Sequence, residues 1–123
     1  MEEFEIKIPT DVQIAEAQDR LGFIFPSEYI AFIKSGYDIG EAPMEALEIV
    51  NPPSYADIFE ALESARKFYD LPAELLPICE DNSDYYCINV NGEVVFWSHN
   101  GTTDEKWANV SAWREQMISE ALE

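Results

Sequence analysis

Apolar and polar positions along the chain switch between two periods. Between Thr10 and Gly22, Ile14, Ala17 and Leu21 recur at helical spacing and predict a helix with one apolar face. Gln13 stands three residues after Thr10, where it closes a capping box, and Gly22 ends the helix. Pro26 and Ser27 start a second helix, with Tyr29, Phe32 and Ile33 as its buried stripe and Gly36 as its stop. Tyr37 to Glu45 reads as a loop, and Ala46 to Val50 as a short strand. Asn51, Pro52 and Pro53 then break the chain before a long helix. There Tyr55, Ile58, Phe59, Leu62, Ala65 and Tyr69 follow the i, i+3, i+4, i+7 pattern. Asp57, Glu60 and Glu63 fall on its wet side, and Glu63 and Lys67 form an i,i+4 pair of favourable order.

The period then drops to two. Leu75 to Cys79 predicts one strand and Glu80 to Asp84 a polar turn. Tyr85 to Val90 and Glu93 to Ser98 flank Asn91-Gly92, a strong hairpin signal because a two-residue turn needs positive φ at both positions. Such a turn sets Val90 opposite Glu93, Ile88 opposite Val95, Tyr86 opposite Trp97 and Cys87 opposite Phe96. Both faces are apolar near the middle, which predicts a central hairpin covered on both sides. After a polar loop, His99 to Asp104, a last strand is expected over Glu105 to Asn109. Ser111 then caps a helix whose stripe is Trp113, Met117, Ile118, Ala121 and Leu122. Hairpin-linked strands among helices predict an α+β fold with a twisted, mainly antiparallel sheet flanked by helices. No linker or repeat divides residues 1–123, so one domain is expected.

Charge changes the picture. Twenty-five Asp and Glu stand against seven Lys and Arg, a net charge of −18, yet 47% of the residues are hydrophobic and 13% aromatic. A solvating acidic tail would be poor in aromatics, so this is a core under a negative coat. The coat keeps a small protein soluble, and it also attracts a basic partner. Direct binding to DNA or RNA is not expected, because phosphates are repelled. No stretch has the apolar length of a membrane span, and MEEFEIKIP lacks the features of a secretory signal. The expected compartment is the reducing cytoplasm.

Catalytic chemistry is poorly supplied. His99 is the only histidine, in a loop with Ser98, Thr102 and Asp104 but no nucleophile elbow. Cys79 and Cys87 lie on adjacent predicted strands, on different faces and not directly opposite, and read as small buried hydrophobes rather than a bridge. Two cysteines and one distant histidine do not complete a zinc site. Glu80, Asp81, Asn82 and Asp84 crowd one turn with oxygen ligands, but lack the glycine and distal Glu of an EF-hand loop. Phosphate-cradling glycine loops are missing. The expectation is a non-enzyme with no cofactor and no metal.

Three blocks carry a family resemblance. Leu21-Gly22-Phe23-Ile24-Phe25-Pro26-Ser27-Glu28-Tyr29-Ile30-Ala31-Phe32-Ile33 resembles the opening of SUKH superfamily domains, the family of the yeast cell-wall regulator Smi-one/Knr-four. Leu76-Pro77-Ile78-Cys79 with Asp84-Tyr85-Tyr86-Cys87-Ile88 and Gly92-Glu93-Val94-Val95-Phe96-Trp97 is similar to the family's strand, turn and hairpin. Ser111-Ala112-Trp113 resembles the start of its closing helix. Ser35-Gly36-Tyr37 and Asn82-Ser83-Asp84 depart from the glycine-rich turns frequent in the family. The resemblance implies an α+β domain without a catalytic apparatus. Bacterial members are mostly immunity proteins of polymorphic toxin and contact-dependent inhibition systems, which bind a cognate toxin, commonly a nuclease. Fungal members are signalling scaffolds.

An immunity protein that blocks a basic toxin is the leading expectation, and a regulatory scaffold or adaptor the alternative. A nuclease presents a cationic groove to phosphates, and an acidic domain can match that field. The loops Tyr37–Glu45, Glu80–Asp84 and His99–Glu105 are the expected contact surface. Glu41, Glu45, Asp81, Asp84, Asp104 and Glu105 would supply charge, with Tyr37 and Trp107 as aromatic anchors.

Overall fold

In the computed structural model, which describes residues 8–49, 58–81, 84–98 and 104–122, Thr10 caps the first helix, α1 (Asp11–Leu21). The capping box is formed: the Gln13 N–H donates to Thr10 Oγ1 at 3.2 Å, and the Thr10 N–H to Gln13 Oε1 at 2.9 Å. Gly22 closes the other end at φ 64°, in a Schellman turn where Phe23 N–H reaches Gln18 O and Gly22 N–H reaches Asp19 O. The Gln18 side chain then accepts from Phe25 N–H at 2.8 Å, which fixes the approach to α2 (Ser27–Lys34). Tyr29, Phe32 and Ile33 are buried, as the stripe predicts.

The second helix ends in the same motif, with Tyr37 N–H bonded to Phe32 O and Gly36 N–H to Ile33 O. Tyr37 also takes a positive φ of 57°. That conformation is uncommon for a bulky residue. It is held because the ring packs edge-on against Phe32, at 6.0 Å, and its hydroxyl accepts from Ile49 N–H at 3.2 Å.

Five strands follow among the described residues: β1 (Glu45–Ala46), β2 (Leu76–Asp81), β3 (Asp84–Ile88), β4 (Val94–Trp97) and β5 (Lys106–Trp107). They lie in the order β1-β2-β3-β4-β5, every pair antiparallel. The helix α3 (Ile58–Tyr69) sits between β1 and β2 in the chain and buries Ile58, Leu62 and Ala65. Tyr55 and Asp57 of the predicted helix lie outside the described residues. Glu63 and Lys67 form no ion pair; the Lys67 ammonium lies 5.3 Å from the Phe68 ring centre instead. The predicted strand after the loop is shorter and begins one residue earlier, at Glu45.

The β3–β4 hairpin departs from its predicted register by one residue. Observed partners are Tyr85 with Trp97, Tyr86 with Phe96, Cys87 with Val95 and Ile88 with Val94. Asn89 explains the shift. Its side-chain oxygen accepts from the Asn91 and Glu93 N–H groups at 3.0 and 3.1 Å, and its amide donates to Glu93 Oε1 at 3.0 Å. The chain therefore turns through three residues, Val90-Asn91-Gly92, and only Gly92 needs a positive φ, 83°. A Cβ on Gly92 would also meet Pro26 at 3.3 Å, so the hairpin tip packs on the start of α2. Both faces of β3 are buried, in keeping with its central place.

The last helix, α4 (Val110–Ala121), is capped by Asn109 rather than Ser111: Asn109 Oδ1 accepts from Ala112 N–H at 2.8 Å. Its buried stripe is Val110, Trp113 and Met117, while Leu122 is exposed. Trp113 is fully buried against Phe32, at 5.8 Å, and Tyr86, at 5.5 Å. These elements form the α+β fold, with helices against an antiparallel sheet.

Two substitutions separate packing from polarity in this core. The Tyr29 hydroxyl and Trp113 Nε1 are buried without a hydrogen-bond partner among the described residues. Tyr29→Phe removes an unpaired polar group and keeps the ring, so it should leave stability unchanged or raise it by about 1 kcal/mol. Trp113→Ala should lower stability by about 3–5 kcal/mol. Urea denaturation midpoints read both. A clear loss in Tyr29→Phe would show that the hydroxyl is bonded.

Candidate partner-binding site

The loop from Glu41 to Met44, the end of β2 and the last turns of α4 enclose a groove of about 420 Å³. Met44, Tyr86 and Met117 supply apolar surface, and Glu41, Asp81 and Glu120 its charge. The sheet register explains how Asp81 arrives there. Cys79 faces Tyr86 and Asp81 faces Asp84, so Asp81, Asp84 and Tyr86 share one side of the sheet. Glu120 follows Met117 by three residues and lies on the same side of α4.

Tyr86 records the field. Burial pushes its hydroxyl up to about 12, and Asp81, Glu105, Cys79 and Glu120 act in the same direction. Carboxylates of β2, of the approach to β5 and of α4 thus act on one hydroxyl, and two of them, Asp81 and Glu120, line the groove beside its ring, which itself packs against Phe96, Trp107 and Trp113.

A second acidic group lies across the same loop. Glu45 on β1 is directly opposite Glu80 on β2. Burial and then Glu80 raise the Glu45 carboxyl, while burial and then Glu45 raise that of Glu48. Glu45 and Glu48 line a neighbouring depression of about 660 Å³ that shares Ala42 and Met44 with the first groove. On its far side Asp38 is tied down. Its carboxyl is lowered by the Gly40 N–H, at 2.9 Å, and by Arg114, whose guanidinium bonds both Asp38 Oδ2 and the Asp38 carbonyl.

The expected contact residues are thus sorted by the fold. Glu41 and Asp81 meet in the groove, Glu105 acts on its Tyr86, and Asp84 pairs with Asp81 across the turn. Glu45 belongs to the second acidic group, and Asp104 is exposed beside Glu105. Tyr37 and Trp107 are buried, 4% and 9% exposed, and their rings are committed to the core. The Trp107 indole N–H donates to Gln116 Oε1 at 2.8 Å. Glu48 and Glu120 were not singled out by their sequence context, whereas Glu80 opened the expected Glu80–Asp84 contact segment and stands near the end of β2. The helical spacing from Met117 was the available signal for Glu120.

The remaining sequence candidates are placed as follows. Cys79 and Cys87 are free and buried on opposite faces. Burial, then Asp81, Glu45 and Glu80, pushes the Cys79 thiol up to about 12, and burial raises Cys87 further. Both thiols stay protonated and unreactive at neutral pH. His99, Asn82 and Ser83 lie outside the described residues. Among the described residues, no three metal-ligating side chains converge, and no helix is long and apolar enough to cross a membrane.

The raised carboxyls give a pH dependence of definite sign. A carboxyl whose folded pKa exceeds its unfolded one contributes stability below the ordinary value, and loses it as pH rises through the folded pKa. For Glu45 and Glu48 that window starts at the ordinary value of 4.5 and extends just above it. Asp38 and Glu93 are lowered and act oppositely, losing stability as pH falls. Glu45→Gln should therefore raise stability at pH 7 by about 0.5 kcal/mol, the scale of a cross-strand like-charge pair. The gain should shrink towards pH 4. Thermal melts of wild type and variant at both pH values provide the check, and an equal offset at the two would contradict the repulsion.

A search of curated proteins finds no match. The fold is similar to that of a solved protein from Pseudomonas syringae pv. tomato, with a TM-score of 0.82 and 28% identity over 94% of this chain and 86% of that one. Residues 2–119 match the SUKH_5 family, described as SMI1-KNR4 cell-wall. This match takes in all three blocks on which the resemblance rested, and with nearly the whole sequence inside it, the chain belongs to the SUKH_5 (SMI1-KNR4 cell-wall) family.

Proposed function

We propose that this is a non-catalytic binding protein whose acidic surface around Glu41, Asp81 and Glu120 receives a basic protein partner. In this reading the partner is a bacterial toxin domain, of nuclease type, and binding neutralises it in the cytoplasm. The observation that carries the reading is the groove in which Glu41, Asp81 and Glu120, from three separate parts of the chain, stand together around Tyr86. No described Lys or Arg lines that groove. Lys34, Lys106 and Arg114 are engaged with Asp11, Glu93 and Asp38 at 2.6, 3.4 and 3.0 Å. A cationic nuclease cleft meets in this groove a field of the sign it evolved to bind.

The cell-wall description of the family favours a second reading, a scaffold that holds a basic partner without inhibiting an enzyme. Co-expression with a toxin-like reading frame next to the gene separates the two. Survival of the cells together with co-purification of the pair supports immunity. A complex without rescue supports the scaffold, and neither complex nor rescue overturns immunity for that pair.

The mechanism has its own test. Glu41→Gln, Asp81→Asn and Glu120→Gln combined should slow association by about tenfold at low salt, with a smaller change in dissociation. The difference should close as salt rises and the Debye length falls to about 3 Å. Stopped-flow or surface-based kinetics across a salt series measures it. An association rate indifferent to salt would rule out electrostatic steering.

A further inference from the structure

The few cations of the chain are not spread evenly. Among the described residues Lys34, Lys106 and Arg114 each hold a carboxylate. Arg20, Arg66 and Lys67 hold none within ion-pair distance, although the chain carries twenty-five acids. These three all line one groove of about 450 Å³ between α1 and α3, with Leu21, Phe59, Leu62 and Glu63 as the rest of its lining.

Two of the three are also held in place. The Arg20 guanidinium lies over the Phe59 ring, 3.8 Å from its centre. A guanidinium held on an aromatic face keeps its N–H edge free for a planar carboxylate. Arg66 donates one N–H to the Ala73 carbonyl at 3.2 Å and keeps its others. Leu21 and Leu62 are buried beneath, so the groove has an apolar floor and a cationic rim.

We infer that the α1–α3 groove is a second docking surface, of opposite sign to the acidic one, and that it takes an acidic segment of a partner protein. The occupant carries carboxylates for Arg20, Arg66 and Lys67, and an apolar side chain for Phe59 and Leu62. Charge complementarity selects it, and the net charge of −18 limits its length. A nucleic acid strand or an anionic bilayer extends past three cations onto the surrounding acids, and is repelled there. A short acidic segment ends where the cations end. This inference does not depend on the toxin reading, since the two surfaces have different residues and different partners.

The test uses the full chain and a synthetic 14-residue peptide of Glu and Leu at helical spacing, titrated with isotope-labelled protein by NMR. Saturable shifts are expected along α1 and α3, with the β2–α4 groove unmoved. Arg20→Gln with Arg66→Gln should weaken binding about tenfold or more, because two charge-assisted contacts are lost. Arg20→Lys keeps the charge but loses the planar fork, and should fall between the two. Unchanged spectra elsewhere report that the variants are folded. An absence of saturable shifts at millimolar peptide overturns the inference. So does undiminished binding by the double variant, or tighter binding of an oligothymidylate or of phosphatidylserine vesicles than of the peptide.

Discussion

Trp113 sets the frame of this domain. Its ring is fully buried, with Phe32 of α2 on one side and Tyr86 of β3 on the other. From Phe32 the aromatic contacts continue to Tyr29, Phe25 and Tyr37, and from Tyr86 to Phe96 and Trp107. One connected run of rings thus joins two helices, three strands and the loop after α2. Edge and tilted ring pairs each add about 0.5–1.5 kcal/mol beyond the area they bury. Their geometric effect matters as much. With Tyr86 fixed between α4 and the sheet, the carboxylates of β2 and α4 are brought to the same ring.

Much of this was legible in the sequence because it depends on local rules. The capping box at Thr10, the glycine stop at Gly22 and the stripe of Tyr29, Phe32 and Ile33 need no distant partner. The same holds for the separation of Cys79 from Cys87, which follows from the period of a strand. The features that escaped are those decided by competition between residues of similar chemistry. Asn89 and Asn91 both suit a turn, and the Asn89 side chain won by satisfying two backbone donors and shifting the register. Asn109 and Ser111 both suit a helix cap, and Asn109 took it. Tyr37 and Trp107 resemble surface anchors in sequence, because a polar tip on an aromatic ring serves a core equally well. Their burial, their ring contacts and their hydrogen bonds, to Ile49 N–H and to Gln116, distinguish the two uses.

Of the candidate site, the acid residues in loops could be named in advance, but not their grouping. Glu41, Asp81 and Glu120 are far apart in the chain and meet because β2 and α4 are both packed around Tyr86. Sequence spacing carries no information about that meeting. The converse applies to the cations. Arg20 and Arg66 lie on helices separated in the chain by α2, the loop after it and β1, and their shared groove emerges only when the Arg20 guanidinium of α1 rests on Phe59 of α3.

The arrangement of charge bears on why the chain is so acidic. Solubility needs only a net charge, and is served equally well by acids placed apart. Here Glu45 stands directly opposite Glu80, and burial adds to the strain on its carboxyl. Like charges in cross-strand register are destabilising. The seven cations could have relieved them, yet none of the described ones lies on the strands β1 or β2. Three lie instead between α1 and α3, with no carboxylate of their own. A fold that keeps its repulsions together and its cations elsewhere retains a dipolar surface at some cost to stability. Where a local rule is broken without compensation, function is the usual reason. Placement, more than count, is what turns the charge of this chain from a solubility device into an argument for partners.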